Sequence, residues 1–166
     1  NCRPGMSRGA VCGAILEHKE HMMTTYLYSD LTGQILQTYC ALFYRLGAQR
    51  HGLSELALTR MLRLELEQRG LSVAAEVAIP VYHRGQRVNT CYADLVAEDK
   101  VVLEIKKVQR LTEAHRGQLE HYLIHGGWAV GLLLNFGGSL HVCQRCYAPA
   151  HDPTRQGGVN EPDLLG

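Results

Sequence analysis

Apolar positions recur every three or four residues in two early stretches, and every second residue through the middle of the chain. SDLTGQILQTYCALFYRLG (29–47) carries Leu31, Ile35, Tyr39, Leu42 and Leu46 on one stripe, which predicts a helix. Ser29 or Asp30 can cap it and Gly47 can end it. After a short polar loop, AQRHG, the stretch 53–70 gives a second helix with Ser54 as N-cap and Gly70 as stop. Its stripe is Leu58, Leu62 and Leu66, and Glu55 falls on the same line. Period-two segments follow at 72–83, 87–98 and 100–108, with a turn at RGQR between the first two. Thr112 caps a third helix over 112–127. The unbroken apolar run AVGLLLNF (129–136) predicts a strand covered on both faces, and 139–148 a last strand. The order ααβββαββ predicts an α/β fold with a central mixed sheet flanked by helices.

The predicted domain spans 29–148, with 1–28 an extension of unknown role and 149–166 a mobile tail rich in Pro, Gly and polar residues. Net charge is +1, so any polyanion site has to be a local patch. The six cysteines form no dense framework, which points to a reducing, cytoplasmic compartment. No run approaches the ~20 apolar residues of a membrane span.

Charge inside the central hairpin changes this picture. In KVVLEIKKV, alternation puts Val101, Leu103 and Ile105 on one face, and Val102, Glu104 and Lys106 on the other. On the preceding strand Tyr92, Asp94 and Val96 share a face by the same rule. If Glu98-Asp99-Lys100 form the turn, Ala97 pairs with Val101 and Asp94 comes opposite Glu104. Two carboxylates that close repel unless a cation or a shared proton intervenes. Two readings are open: a solvated edge hairpin with an ordinary ion pair, or a site for a hard divalent metal, Mg²⁺ or Mn²⁺. Such a metal would acidify a water and polarise a phosphoryl oxygen, with Lys106 orienting the water. Glu55 is open in the same way, since a helix N-terminus also favours a carboxylate. On the third helix Gln118 and Tyr122 share a face, and a network from Gln118 to Lys106 and the strand backbone would satisfy the amide.

Asp94, then Glu104-Ile105-Lys106, then Gln118-x3-Tyr122, resembles the PD-(D/E)XK nuclease superfamily and its RecB-like branch with a QxxxY motif. Six successive blocks between about residues 30 and 147 resemble the GxxExxY family. The resemblance implies a restriction-endonuclease-like core and a divalent-metal-dependent nuclease, with DNA the expected substrate. It implies Asp94, Glu104, Glu55 and the Ile105 carbonyl as metal ligands, Lys106 as catalytic lysine, and Gln118 and Tyr122 in support of the site or in contact with the nucleic-acid backbone. Leu58 stands where the GxxExxY tyrosine is expected, and no proline precedes Asp94. A non-catalytic subunit of a larger assembly is the alternative, and a homodimer is compatible with the sequence.

Basic residues at Arg60, Arg63, Arg69, Arg84, Arg87, Lys107, Arg110 and Arg116 suggest a phosphate-binding rim; Lys107, Arg110, Arg116, Arg84 and Arg87 are its chief candidates. Cys143-x2-Cys146 has metal-ligand spacing, but Cys2 and Cys12 are far off and no third C-terminal cysteine follows, so no iron–sulfur cluster is expected.

Overall fold

The computed structural model describes residues 27–151. All of the proposed extension but its last two residues, and nearly all of the proposed tail, therefore lie outside the described residues. The elements are α1 (Ser29–Leu46), a 3₁₀ turn (Gly47–Gly52), α2 (Glu55–Gln68), β1 (Val73–His83), β2 (Gln86–Ala97), β3 (Val101–Lys106), α3 (Glu113–Gly126), β4 (Val130–Asn135), β5 (Val142–Tyr147) and a short 3₁₀ turn (Pro149–His151). The five strands lie side by side in chain order. β3 and β4 are parallel, joined through α3, and all other neighbours are antiparallel. This is the α/β architecture with a mixed sheet that the periodicity predicts. No helix among the described residues is long and apolar enough to cross a membrane.

Two apolar clusters hold the layers together. Ile35, Tyr39, Leu42 and Phe43 of α1 and Leu58, Leu62 and Leu66 of α2 pack on Leu95, Val101, Leu103, Ile105 and Leu134. On the opposite face Leu119, Tyr122 and Leu123 of α3 pack on Val96, Val102 and Leu133. β4 is buried along its whole length, as its apolar run requires.

Local signals resolve as follows. Ser54 Oγ accepts the Ala57 N–H at 3.1 Å and starts α2. Neither Ser29 nor Asp30 caps α1; Ser29 is already helical and Tyr28, at φ 58°, precedes it. The Arg84-Gly85 turn has both residues at positive φ, 49° and 79°, which fits the strand twist of a tight hairpin. The AQRHG segment is not an open loop. Arg50 is buried, its guanidinium donates to the carbonyls of Phe136 (3.1 Å), Gly138 (2.8 Å) and Gly47, and it lies 4.1 Å from the Phe43 ring centre. It ties the segment before α2 to the β4–β5 connection.

The expected face sharing along β2 is corrected. Cys91 and Ala93 pack in the α3 cluster together with Val96, while Leu95 and Ala97 pack in the other. Tyr92, Asp94 and Val96 therefore do not share one covered face. The physical reason stands across the ladder: Ala75 pairs with Leu95 and Val77 with Ala93, and between them Glu76 has φ 51°. An L-residue in that region breaks regular alternation, and the break falls opposite Asp94.

Candidate active site

β2 and β3 pair from Ala97–Val101 to Leu95–Leu103, the register set by the three-residue turn. Beyond that the backbone ladder gives way to a side chain: Asp94 Oδ2 accepts the Ile105 N–H at 2.8 Å. Asp94 is thus fixed to the strand that carries Glu104 and Lys106. Glu104 is 2 % exposed. Its Oε1 accepts from Lys106 Nζ at 2.8 Å, and its Oε2 is buried with no hydrogen-bond partner.

Glu55 reaches the same place from α2. Its Oε2 accepts the Lys107 N–H at 2.6 Å. The segment after Lys106 is held firmly enough to make that contact. Asn135 brackets Val108, accepting its N–H at 3.0 Å and donating to its carbonyl at 2.8 Å. The Phe136 N–H donates to the Lys106 carbonyl at 2.7 Å. Gly137 sits so close that a Cβ there would lie 2.2 Å from the Val108 oxygen.

Glu55, Asp94 and Lys106 line a cavity of about 450 Å³ between the N-terminal half of α2 and the sheet. Arg60 and Arg63 of α2 and Glu76 of β1 line it too. Burial, the Asp94 charge and, more weakly, Glu55 push the Glu104 carboxyl up to about 7, against the pull of Lys106. Burial also raises Asp94, although the Ile105 N–H and Lys106 oppose it. Burial pulls the Lys106 ammonium down, but the Glu104 hydrogen bond and the surrounding carboxylates outweigh this, so it is held charged.

These residues fit a divalent cation. Each of the three carboxylates gives one oxygen to a chain N–H or to Lys106, and among the described residues no protein donor reaches the other. The orphaned Glu104 Oε2 is the clearest sign, because a buried acceptor without a partner costs about 1–3 kcal/mol. Among the described residues no three His, Cys, Asp or Glu side chains already close on one point.

The model of the PD-(D/E)XK nuclease superfamily matches residues 29–145, well over half of the chain. The chain belongs to the PD-(D/E)XK nuclease superfamily. The sheet and flanking helices are its restriction-endonuclease-like core. Among solved structures, SSO0001 is similar over 90 % of this chain and 88 % of that one, at 16 % identity and a TM-score of 0.48. An alkaline exonuclease from Laribacter hongkongensis is similar over 51 % of each chain, at 14 % identity and a TM-score of 0.35. Likeness this distant says nothing of this chain's chemistry. No curated protein matches.

Around this superfamily core the remaining candidates are spread unevenly. Gln118 does not bond Lys106: its Nε2 donates to the Tyr122 hydroxyl at 2.7 Å. Tyr122 is buried, and its hydroxyl is raised chiefly by burial, with Glu104 and Lys106 close enough to act on it. Ile105 lines the cavity as well as donating to Asp94. Lys107 is drawn inward, its ammonium donating to the carbonyls of His51 and Leu53 at 2.7 Å each. Arg116 pairs with Glu120 one turn on. Arg110 is exposed in the connection before α3. Arg84 and Arg87 lie at the tip of the β1–β2 hairpin. Cys143 is exposed while Cys146 is buried against α3, because residues three apart on a strand face opposite ways; they do not form one chelate.

Sequence reasoning missed Glu76, whose place in an exposed alternating pattern carries no signal of a cavity. Only its φ, seen in the fold, sets it apart.

Proposed function

We propose that this chain is a divalent-metal-dependent nuclease hydrolysing phosphodiester bonds of DNA inside the cell, in a repair, recombination or defence context. The observation that carries the reading is Glu104: buried, paired to Lys106 through one oxygen and unpartnered at the other. Gln118 and Tyr122 support membership of the RecB-like branch, and the block around Gly52 and Glu55 that of the GxxExxY family. Leu58, fully buried in the core, fills the position of that family's tyrosine.

Asp94, Glu104 and Glu55 would hold Mg²⁺ or Mn²⁺, with the Ile105 carbonyl as a further ligand. A divalent cation there acidifies water and draws charge from a phosphoryl oxygen. Lys106, kept charged and anchored by Glu104, orients the attacking water and balances charge growing on the phosphoryl oxygens. Water adds to phosphorus in line and gives up a proton to solvent, the P–O3′ bond breaks, and the leaving oxygen takes a proton from solvent. Arg60 and Arg63 face the same cavity and suit the flanking phosphates. Arg84, Arg87, Arg110 and Arg116 would extend that contact, and Lys107 would act through the loop it anchors.

The test is incubation of the full chain with labelled DNA and RNA in Mn²⁺, Mg²⁺ or EDTA, beside Glu104→Ala and Lys106→Ala. Metal-dependent DNA cutting that both variants lose is expected. Cutting in EDTA, or by either variant at the parent rate, overturns the mechanism. No cutting together with no metal binding points instead to a nuclease-fold subunit of a larger assembly.

A further inference from the structure

We propose that the open face of the β1–β2 arm is a stacking track for unpaired nucleobases, so that the site takes single-stranded polynucleotide. This deepens the nuclease reading above and rests on it. Past Ala75 and Leu95 the two strands run on together to the Arg84-Gly85 turn. One face of this arm is covered: Ile79 and Ala93 pack with Leu119 and Tyr122. Cross-strand partners point the same way. Ala78 and Tyr92 therefore form the other face, and Tyr82 falls on it by alternation along β1 from Ala78; the bulge between Val81 and Tyr82 puts its extra residue, Val88, on β2, and Tyr82 pairs with Arg87 beyond it. Both tyrosines are open to solvent, Tyr92 at 58 % and Tyr82 at 57 % exposure.

The arm is also a local basic patch in a nearly neutral chain. From Val77 to Ala93 it carries His83, Arg84 and Arg87 and no Asp or Glu. Aromatic faces accept bases whatever the sequence, and arginines accept the phosphates between them. A duplex buries its base faces and leaves the tyrosines nothing to stack on. The arm begins at the cavity, whose lining includes Ala75, Glu76, Asp94 and Leu95 at its base. The track lies on the side of the sheet away from α3, where α2 closes over Asp94. Tyr92 stands two residues from Asp94, roughly 7 Å along an extended strand, and Tyr82 roughly 13 Å beyond the partner of Tyr92.

Fluorescence anisotropy in EDTA tests this, with a labelled oligodeoxythymidine and a blunt hairpin duplex as probes. The full chain is compared with Tyr82→Ala, Tyr92→Ala and the two Phe variants. The single strand is expected to bind more tightly than the duplex. Each Ala variant is expected to weaken single-strand binding about tenfold or more, the size of one lost base stack. Phe keeps the ring face and stays within about twofold. Mn²⁺ binding by calorimetry is expected to match the parent in every variant, which shows an intact fold. Unchanged binding in the Ala variants overturns the proposal, as does an equal loss on the duplex. A shift of oligomeric state in those variants by light scattering also overturns it, since the arm is then a contact between copies. Tyrosine-dependent binding in a chain that never cuts leaves the track standing and removes the nuclease.

Discussion

Glu55, the first residue of α2, accepts the backbone N–H of Lys107 at 2.6 Å, so a helix N-terminus is locked to the residue after the site's lysine. This contact explains how an exposed glutamate at the end of an apolar stripe comes to the metal site proposed beside Asp94 and Glu104. It also separates two roles for Glu55, as acceptor and as charge. Glu55→Gln keeps an acceptor and removes the charge. The variant is expected to keep its thermal midpoint and to bind Mn²⁺ roughly tenfold or more weakly by calorimetry. Parent-like affinity would show that Glu55 holds Lys107 and nothing else.

The buried Glu104 predicts a pH dependence of stability. Its carboxyl is raised to about 7 from an ordinary 4.5. The folded chain therefore binds a proton that the unfolded chain releases earlier. That contribution is complete below about 4.5 and is lost as pH rises through about 7. Urea unfolding in EDTA is expected to give lower stability at pH 8 than at pH 5, with a flatter profile in Glu104→Gln. Metal binding needs the carboxylate, so added Mn²⁺ is expected to stabilise more at pH 8 than at pH 5. A parent profile that rises over this range would place the charge of Glu104 wrongly.

Lys107 anchors rather than reaches out. Its two carbonyl contacts hold the turn before α2. Lys107→Ala is expected to lower stability by about 1–2 kcal/mol in denaturant unfolding. The salt dependence of DNA binding is expected to stay close to the parent's. A slope reduced by about one instead would make it a phosphate contact.

Arg50 is a stronger case of the same kind. Arg50→Met is expected to destabilise by about 2–4 kcal/mol in denaturant unfolding, because it strips the buried carbonyl of Phe136 and the half-buried carbonyl of Gly138 of their donor. A loss under about 0.5 kcal/mol would mean that water replaces the guanidinium without cost.

Much of this was legible in the chain because short-range rules govern it. The three-residue turn is enough to set the β2–β3 register from Ala97–Val101 to Leu95–Leu103, and Ser54 announces α2. What escaped depends on distant partners. Little in the local sequence tells Arg50 from a solvated arginine, since two of its three carbonyl acceptors lie about 90 residues away. Gln118 meets Tyr122 on its own helix, a simpler solution than the longer network expected of it. Glu76 reads as an ordinary exposed strand position; its left-handed backbone, across the ladder from Asp94, emerges only in the fold.

The most direct test of the central claim is a calorimetric Mn²⁺ titration of the parent chain, Asp94→Asn and Glu104→Gln at pH 8. The carboxylate site predicts saturable binding by the parent and a loss of roughly a hundredfold or more in each variant, as expected when a charged ligand is removed. Equal affinity in all three, or no binding by the parent, would contradict it.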